Sequence, residues 1–427
     1  MASSAFARLP GFRDFPPEDL ALRSHVVEAW RRVSRRYGFV EYDGPPLESL
    51  DLYTEKSGDE IVEQLYTFTD KGDRQVALRP EMTPSLARIL GDRSRGMSKP
   101  IRWFSVPQLF RYERQQRGRL REHFQWNVDI VGEEGVAADA EVLAVAIDGL
   151  RELGLDADAF RARVSDRKIV SAIFRAEGVG PDRVPAALAV IDKLERQPRE
   201  KSAAALVSEA GMTEAAAGGV LDLFQGTDVD GLRSRFGAHP DVAAELERLD
   251  AYVGALDAMG LGEYVEVDLR IVRGLAYYTG IVFELFDKKH DLRAICGGGR
   301  YDRLLELVGG EPLPAVGFGM GDVVLGELLS EEGVLPEYTK SLDYFIVTVS
   351  EDHRRETLRI AHALRDKGKS VAYALRDQGV TKQLKAAGKE GAREVLIVGP
   401  DELARGCVVA REMASGSERE VPLADLT

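Results

Sequence analysis

Cysteine is almost missing from this 427-residue chain, which holds only Cys296 and Cys407. Two thiols cannot build a disulfide framework or complete a cysteine-based zinc site, so a reducing, cytoplasmic setting is expected. No apolar run approaches the roughly 18 residues that a membrane-spanning helix needs, so no membrane partner is expected. Met1 to Pro10 lacks both an apolar core and a small-residue cleavage site, and export is not expected. Histidine is sparse too. His25, His123, His239, His290, His353 and His362 are scattered, and none sits at metal-ligand spacing from another. There is no nucleophile elbow and no zincin helix. Basic excess is also lacking. The net charge is −14, which excludes a general nucleic-acid coat.

The acidity is uneven. Residues 336–427 carry 15 basic and 15 acidic side chains, so the first 335 residues hold the whole excess. Of the 57 cations, 43 are arginine, the residue suited to bidentate phosphate binding. The length exceeds the roughly 250–300 residues at which a single core stops growing, so two or three domains are expected.

Periodicity sketches the elements. Residues 20–37 read as an amphipathic helix. Tyr66 to Thr69 and Gln75 to Leu78 read as a hairpin around the turn at Asp70–Asp73. A helix is expected after Thr83-Pro84, with Thr83 as N-cap. Residues 101–112 and 123–131 are β-like, and 138–153 look helical. From about 156 to 262 alternation gives way to Ala, Glu, Arg and Leu, which reads as a helical insertion. Strands are expected again at 264–272, 281–286 and 292–296. Beyond Pro336, strands and helices alternate from 343 to 399, the pattern of a small α/β domain.

Two glycine motifs mislead. Gly368-Lys369-Ser370 resembles the end of a P-loop, but position 363 is Ala and the segment runs helix to strand. Gly317-Phe318-Gly319-Met320-Gly321 fails the dinucleotide fingerprint because Asp322 follows. Phe110-Arg111-Tyr112-Glu113 carries more. With the loop that follows it supplies five arginines, at 111, 114, 117, 119 and 121. They make either a concentrated anion site or a solvated hairpin tip. In the return strand, period two puts Gln125, Asn127 and Asp129 on one face and Trp126, Val128 and Ile130 on the other. The polar face could floor a pocket beside Arg111 or meet water. Arg273 to Gly280 encloses a tyrosine pair, and Gly297-Gly298-Gly299-Arg300-Tyr301-Asp302 joins a strand to a helix, its glycines permitting close backbone approach.

Together these blocks resemble the histidyl-tRNA synthetases, a family of class II aminoacyl-tRNA synthetases. Pro45 lies where motif 1 would be, Phe110 to Glu113 matches motif 2, and 313–325 sits at motif 3. Arg273 to Gly280 and Gly297 to Asp302 resemble the two histidine motifs, and Arg79 to Thr83 the amino-acid loop. The resemblance implies an α+β catalytic domain with an antiparallel sheet over 1–335, a helical insertion at about 156–262, and an α/β anticodon-binding domain over 340–427. It implies L-histidine, ATP with Mg2+, and histidine tRNA as partners, and a homodimer. Arg273 and Arg111 would be catalytic. Glu81, Met82, Thr83, Arg111, Gln125, Asp129, Arg273, Tyr277 and Tyr278 would bind histidine. Arg111, Glu113 and Arg119 would bind ATP.

Two positions depart from the family pattern. Val324 stands where motif 3 carries an arginine that grips the ATP end, and Ala276 stands at the fourth position of Arg-Gly-Leu-Asp-Tyr-Tyr. The rival reading is a regulatory paralogue that controls an ATP phosphoribosyltransferase. Such paralogues resemble the catalytic domain alone, whereas this chain keeps Arg111, Arg273, Tyr277 and Tyr278 and adds a C-terminal α/β domain.

Overall fold

The computed structural model describes residues 7–54, 62–114, 116–226, 229–273, 277–289, 292–307 and 310–426. Ala276 lies outside them. The chain forms two compact units, Met1–Leu335 and Pro336–Thr427.

The first unit is organised by a nine-stranded sheet. Its strands are β1 (Val40–Glu41), β5 (Ile101–Ser105), β6 (Gln108–Phe110), β7 (Glu122–Val131), β8 (Phe160–Asp166), β9 (Val265–Val267), β10 (Ile281–Asp287), β11 (Cys296–Arg300) and β12 (Ala315–Gly321). They lie in the order β1-β5-β7-β12-β11-β10-β8-β9, with β6 also paired to β7. Pairing is antiparallel except for β1 with β5 and β8 with β9. A separate antiparallel sheet joins β2 (Leu47–Ser49), β4 (Gln75–Leu78) and β3 (Tyr66–Thr69).

The apolar face of the large sheet fixes its orientation. Trp126, Val128 and Ile130 are buried against the helices Pro17–Arg36 and Val136–Arg151. Trp126 stacks on Trp30 at 5.8 Å and donates from Nε1 to Ser34 Oγ at 2.9 Å. A Cβ at Gly149 would collide with the Trp126 ring, so glycine lets that helix approach the sheet. Burying roughly 200 Å² of indole contributes up to about 5 kcal/mol. The helix Thr83–Arg93 covers part of the opposite face. Its Leu86, Ala87 and Leu90 pack with Ile101, Val131, Val282 and Tyr301. The rest of that face stays open, and its polar side chains form the site.

Three local expectations are corrected. Met82, not Thr83, is the N-cap of that helix; Thr83 is already helical. The stretch from 156 is not all insertion, because Phe160–Asp166 forms β8 in the sheet. Its Phe160, Ala162 and Val164 face the core, while Arg163 is buried by pairing with Asp268 and Glu195. Among the described residues, separate helices then follow, the first Arg167–Ala176 and the last Pro240–Ala258. Finally, Gly297, Gly298 and Gly299 lie inside β11 rather than after it.

The second unit is a five-stranded sheet in the order β14-β13-β15-β16-β17. These are Leu342–Thr348 (β13), Val371–Tyr373 (β14), Ala392–Val398 (β15), Cys407–Glu412 (β16) and Glu418–Pro422 (β17). Successive residues of β13 serve opposite faces. Ile346 packs with Ile360 and Leu364, and Phe345 and Val347 pack with Ala387. On the helix Val380–Lys389, Gln383 and Ala387 face inward, which leaves Lys382, Lys385 and Lys389 exposed.

Candidate active site

The open face of the large sheet carries two adjoining cavities, of about 870 Å³ and about 230 Å³. Cross-strand register builds their floor. Gly319 pairs with Asn127 on one side and Gly297 on the other; Gly317 pairs with Asp129 and Gly299. Residues paired in this way share a face. Side chains from β7 therefore lie over bare glycine backbone. A Cβ at Gly317 would collide with Asp129 Oδ1, and one at Gly319 would lie 2.8 Å from Gln125 Cδ.

The smaller cavity is lined by Glu81, Thr83, Asn127, Asp129, Tyr278 and Tyr301, among others. Asp129 is buried and accepts a short hydrogen bond from the Tyr301 hydroxyl. Burial pushes its carboxyl up to about 7, although the Tyr301 bond pulls the other way. Burial likewise raises Tyr277 and Tyr278, so both hydroxyls stay protonated donors at neutral pH. Tyr277 donates to Glu81 Oε2 at 3.5 Å.

Arg111 and Arg273 line both cavities. Arg111 leaves β6 with Nε donating to Pro80 O at 2.9 Å. Arg273 has φ of 53°, a left-handed conformation that costs a non-glycine residue ~1–3 kcal/mol. Its guanidinium lies over Gly297, where a Cβ would collide with Nη1. Nη1 donates to Glu284 Oε1 at 2.8 Å, and Glu284 is itself paired with Gly297 across the strands. Burial opposes the Arg273 charge, but Tyr278 and Glu284 offset it, and the net shift is upward. Its buried Nε has no partner among the described residues.

Glu113 and Arg119 also line both cavities, and the larger one adds His123, Arg196, Arg270, Arg293 and Val324. Arg119 Nη1 meets Glu113 Oε2 at 3.1 Å. Burial, with Arg111 and Arg13 nearby, lowers His123 to about 3, so this imidazole is neutral.

The sequence-derived site residues are thus gathered, with three exceptions. Met82 is fully buried beneath the site and lines neither cavity. Of the five hairpin arginines, only 111 and 119 reach the cavities. Arg117 pairs with Glu327 and Glu331, Arg121 lies over the Tyr112 ring, and Arg114 is exposed. Ala276 cannot be placed, as it is outside the described residues. The sequence reading missed His123, Arg196, Arg270 and Arg293, and gave Tyr301 no role of its own. Tyr301 stood within a quoted motif, and His123 begins the same period-two face of β7 as Gln125, Asn127 and Asp129; the three arginines come from separate elements and had no shared signal.

A family model described as histidyl-tRNA synthetase matches residues 11–321, and one described as an anticodon binding domain matches 343–427. The histidine–tRNA ligase of Opitutus terrae is 42% identical over 421 residues, covering 98% of this chain and 96% of that protein. The chloroplastic/mitochondrial histidine–tRNA ligase of Arabidopsis thaliana is 41% identical over 416 residues, covering 97% and 85%. The crystal structure of histidyl-tRNA synthetase from Nostoc superposes with a TM-score of 0.81 at 24% identity, covering 99% of this chain and 98% of that one. Fold, site and near-full-length similarity therefore converge: the chain belongs to the histidyl-tRNA synthetase family.

Proposed function

We infer that the chain activates L-histidine with ATP and transfers the histidyl group to the 3′ end of its tRNA. The observation that carries this reading is the position of Arg111 and Arg273, on the boundary between a small polar cavity and a larger cationic one. Adenylate formation needs a carboxylate from one side to meet an α-phosphate from the other. The carboxylate oxygen forms a bond to phosphorus while the bond to pyrophosphate breaks. Fixed cations at that boundary offset both the initial repulsion and the charge that builds on phosphorus. The partnerless Nε of Arg273 is a donor available for an oxygen there.

In this reading Asp129 accepts from one imidazole nitrogen and a Tyr278 hydroxyl donates to the other. Glu81, Thr83 and Gln125 hold the α-amino end. Imidazole satisfies such a donor–acceptor pair, and a side chain lacking either function leaves a buried group unpaired. Glu113 meets the adenine amino group, and Arg119 the distal phosphates.

For magnesium the residues fit an ion that arrives with its nucleotide. Of the carboxylates lining the larger cavity, Glu113, Glu284 and Glu195 are bonded to arginines and Asp192 is not, and no group of three potential ligands occurs among the described residues. Magnesium keeps several waters and is held largely by the phosphates it accompanies. Bound there, it would supply positive charge to the phosphate oxygens.

The anticodon-domain match favours the synthetase over the regulatory paralogue. We further propose a homodimer and a cytoplasmic location. No described helix is long and apolar enough to cross a membrane. Histidine-dependent ATP–pyrophosphate exchange tests the central reading. Well-folded protein that exchanges with no amino acid would refute it.

A further inference from the structure

The larger cavity has a cationic corner that the roles above leave unused. Arg293 precedes β11, and its Nη2 donates to Gln116 Oε1 at 2.6 Å, which ties it to the tip of the arginine-bearing hairpin. A Cβ at Gly118 would lie 3.7 Å from Arg293 Cδ and 3.1 Å from Val324 Cγ2. Arg293 and Val324 thus border the same space, and Val324 is where the third motif would carry an arginine.

Arg119 and Arg196 act on Arg293 as like charges, and the carboxylate acting on it, Glu113, is already bonded to Arg119. Neither Arg293 nor Arg196 has an ion-pair partner among the described residues. Arg196 enters from the helical insertion, on the turn Leu194–Arg196. Its neighbour Glu195 is anchored by Arg163 Nη2 at 2.5 Å and Arg270 Nη1 at 3.1 Å. Burial and Arg119 both depress the Arg293 pKa. Arg293 and Arg196, two unpaired cations beside Arg119 at one end of a cavity, are self-repelling until a polyanion enters.

We propose that Arg293, with Arg196 from the same cavity, binds the distal phosphates of ATP and takes the place of the arginine that position 324 lacks. The proposal rests on the larger cavity being the nucleotide end of an adenylate-forming site. The phosphates enter between the hairpin and the loop before β11, and the Gln116 bond holds Arg293 across that entry.

The test is histidine-dependent ATP–pyrophosphate exchange by the full-length chain carrying Arg293→Ala, Arg293→Lys, or Arg293→Ala together with Val324→Arg. Arg293→Ala should raise the KM for ATP about tenfold or more, the scale of losing a hydrogen-bonded charged group, and leave the KM for histidine unchanged. Arg293→Lys should recover part of the loss by restoring charge without the guanidinium fork. Val324→Arg should also recover part, because it reaches the same space from the helix Asp322–Glu331. An unchanged KM for ATP in Arg293→Ala overturns the proposal. So does a defect confined to the KM for tRNA in charging, or an equal rise in the KM for histidine. If Val324→Arg restores nothing, the claimed replacement falls. Absence of exchange in the unsubstituted chain instead removes the underlying reading of the site.

Discussion

Replacing Asp129 with Asn should make the unliganded protein more stable while making it a poorer histidine binder. Asp129 sits in the folded chain with its carboxyl raised from 3.8 to about 7, chiefly by burial. That shift corresponds to about 4 kcal/mol disfavouring the ionised form. The sign follows from proton counting. Between the two values the folded protein holds a proton that the unfolded chain has released, so stability falls as pH rises through this window. Above about pH 7 the loss is complete and flat. Asn resembles the protonated acid in shape and charge and still accepts from Tyr301. Asp129→Asn should therefore match the parent near pH 4 and unfold at a clearly higher temperature near pH 8, the gap opening between. Histidine binding moves the other way. Losing a charge-assisted bond to imidazole should cost about 1.5–3 kcal/mol, with ATP affinity unchanged. Thermal unfolding across pH, paired with histidine titration, measures both. A stability difference independent of pH would refute the raised carboxyl. Equal weakening of histidine and ATP would indicate a folding defect.

Four further outcomes follow from the structure. Arg273→Ala should slow adenylate formation by roughly 10²–10³-fold, as loss of a transition-state donor does, and spare histidine binding; near-normal single-turnover formation would show its role misassigned. Gly297→Ala should mimic it, because the new methyl occupies the place of the Arg273 guanidinium. A rate equal to the parent's would mean that Arg273 works from another position. A chain ending near Glu337 should keep pyrophosphate exchange and lose most tRNA charging, since the cavity-lining residues all belong to the first unit. In the full chain, charging should weaken steeply with salt if Lys382, Lys385 and Lys389 contact phosphates. Full charging by the truncated protein would place tRNA recognition in the first unit alone.

Much of the site was legible because strand alternation is a short-range code. The period of 123–131 alone separated Asp129 and Gln125 from Trp126 and Val128, and the structure keeps that division. The code failed where local composition hid it. Phe160, Ala162 and Val164 alternate correctly, yet the intervening polar positions are two arginines and a serine, so β8 blended with the helical sequence after it. Arg163 tolerates burial only because Glu195 and Asp268 meet it from distant segments. Glycine misled in the opposite way. Gly297 to Gly299 read as a connection, whereas cross-strand neighbours need their missing side chains within the strand. Arg196 and Arg293 were illegible in principle, since nothing in either local sequence encodes which cavity the loop will face. Met82 shows the limit of motif reasoning, because adjacency to Glu81 and Thr83 says nothing of a helix start that turns one residue inward.

The glycine floor has an evolutionary consequence. At positions 297, 317 and 319 the side chain is already as small as chemistry allows, so every single substitution adds matter to the chamber and none removes any. Drift at the floor can only shrink the space available. A descendant accepting a bulkier amino acid could not arise there. It would have to be remodelled at the walls, through Tyr278, Tyr301 or Asp129, where side chains exist to be shortened. The backbone thereby divides the site into a part that cannot be retuned toward larger substrates and a part in which changes of specificity must concentrate.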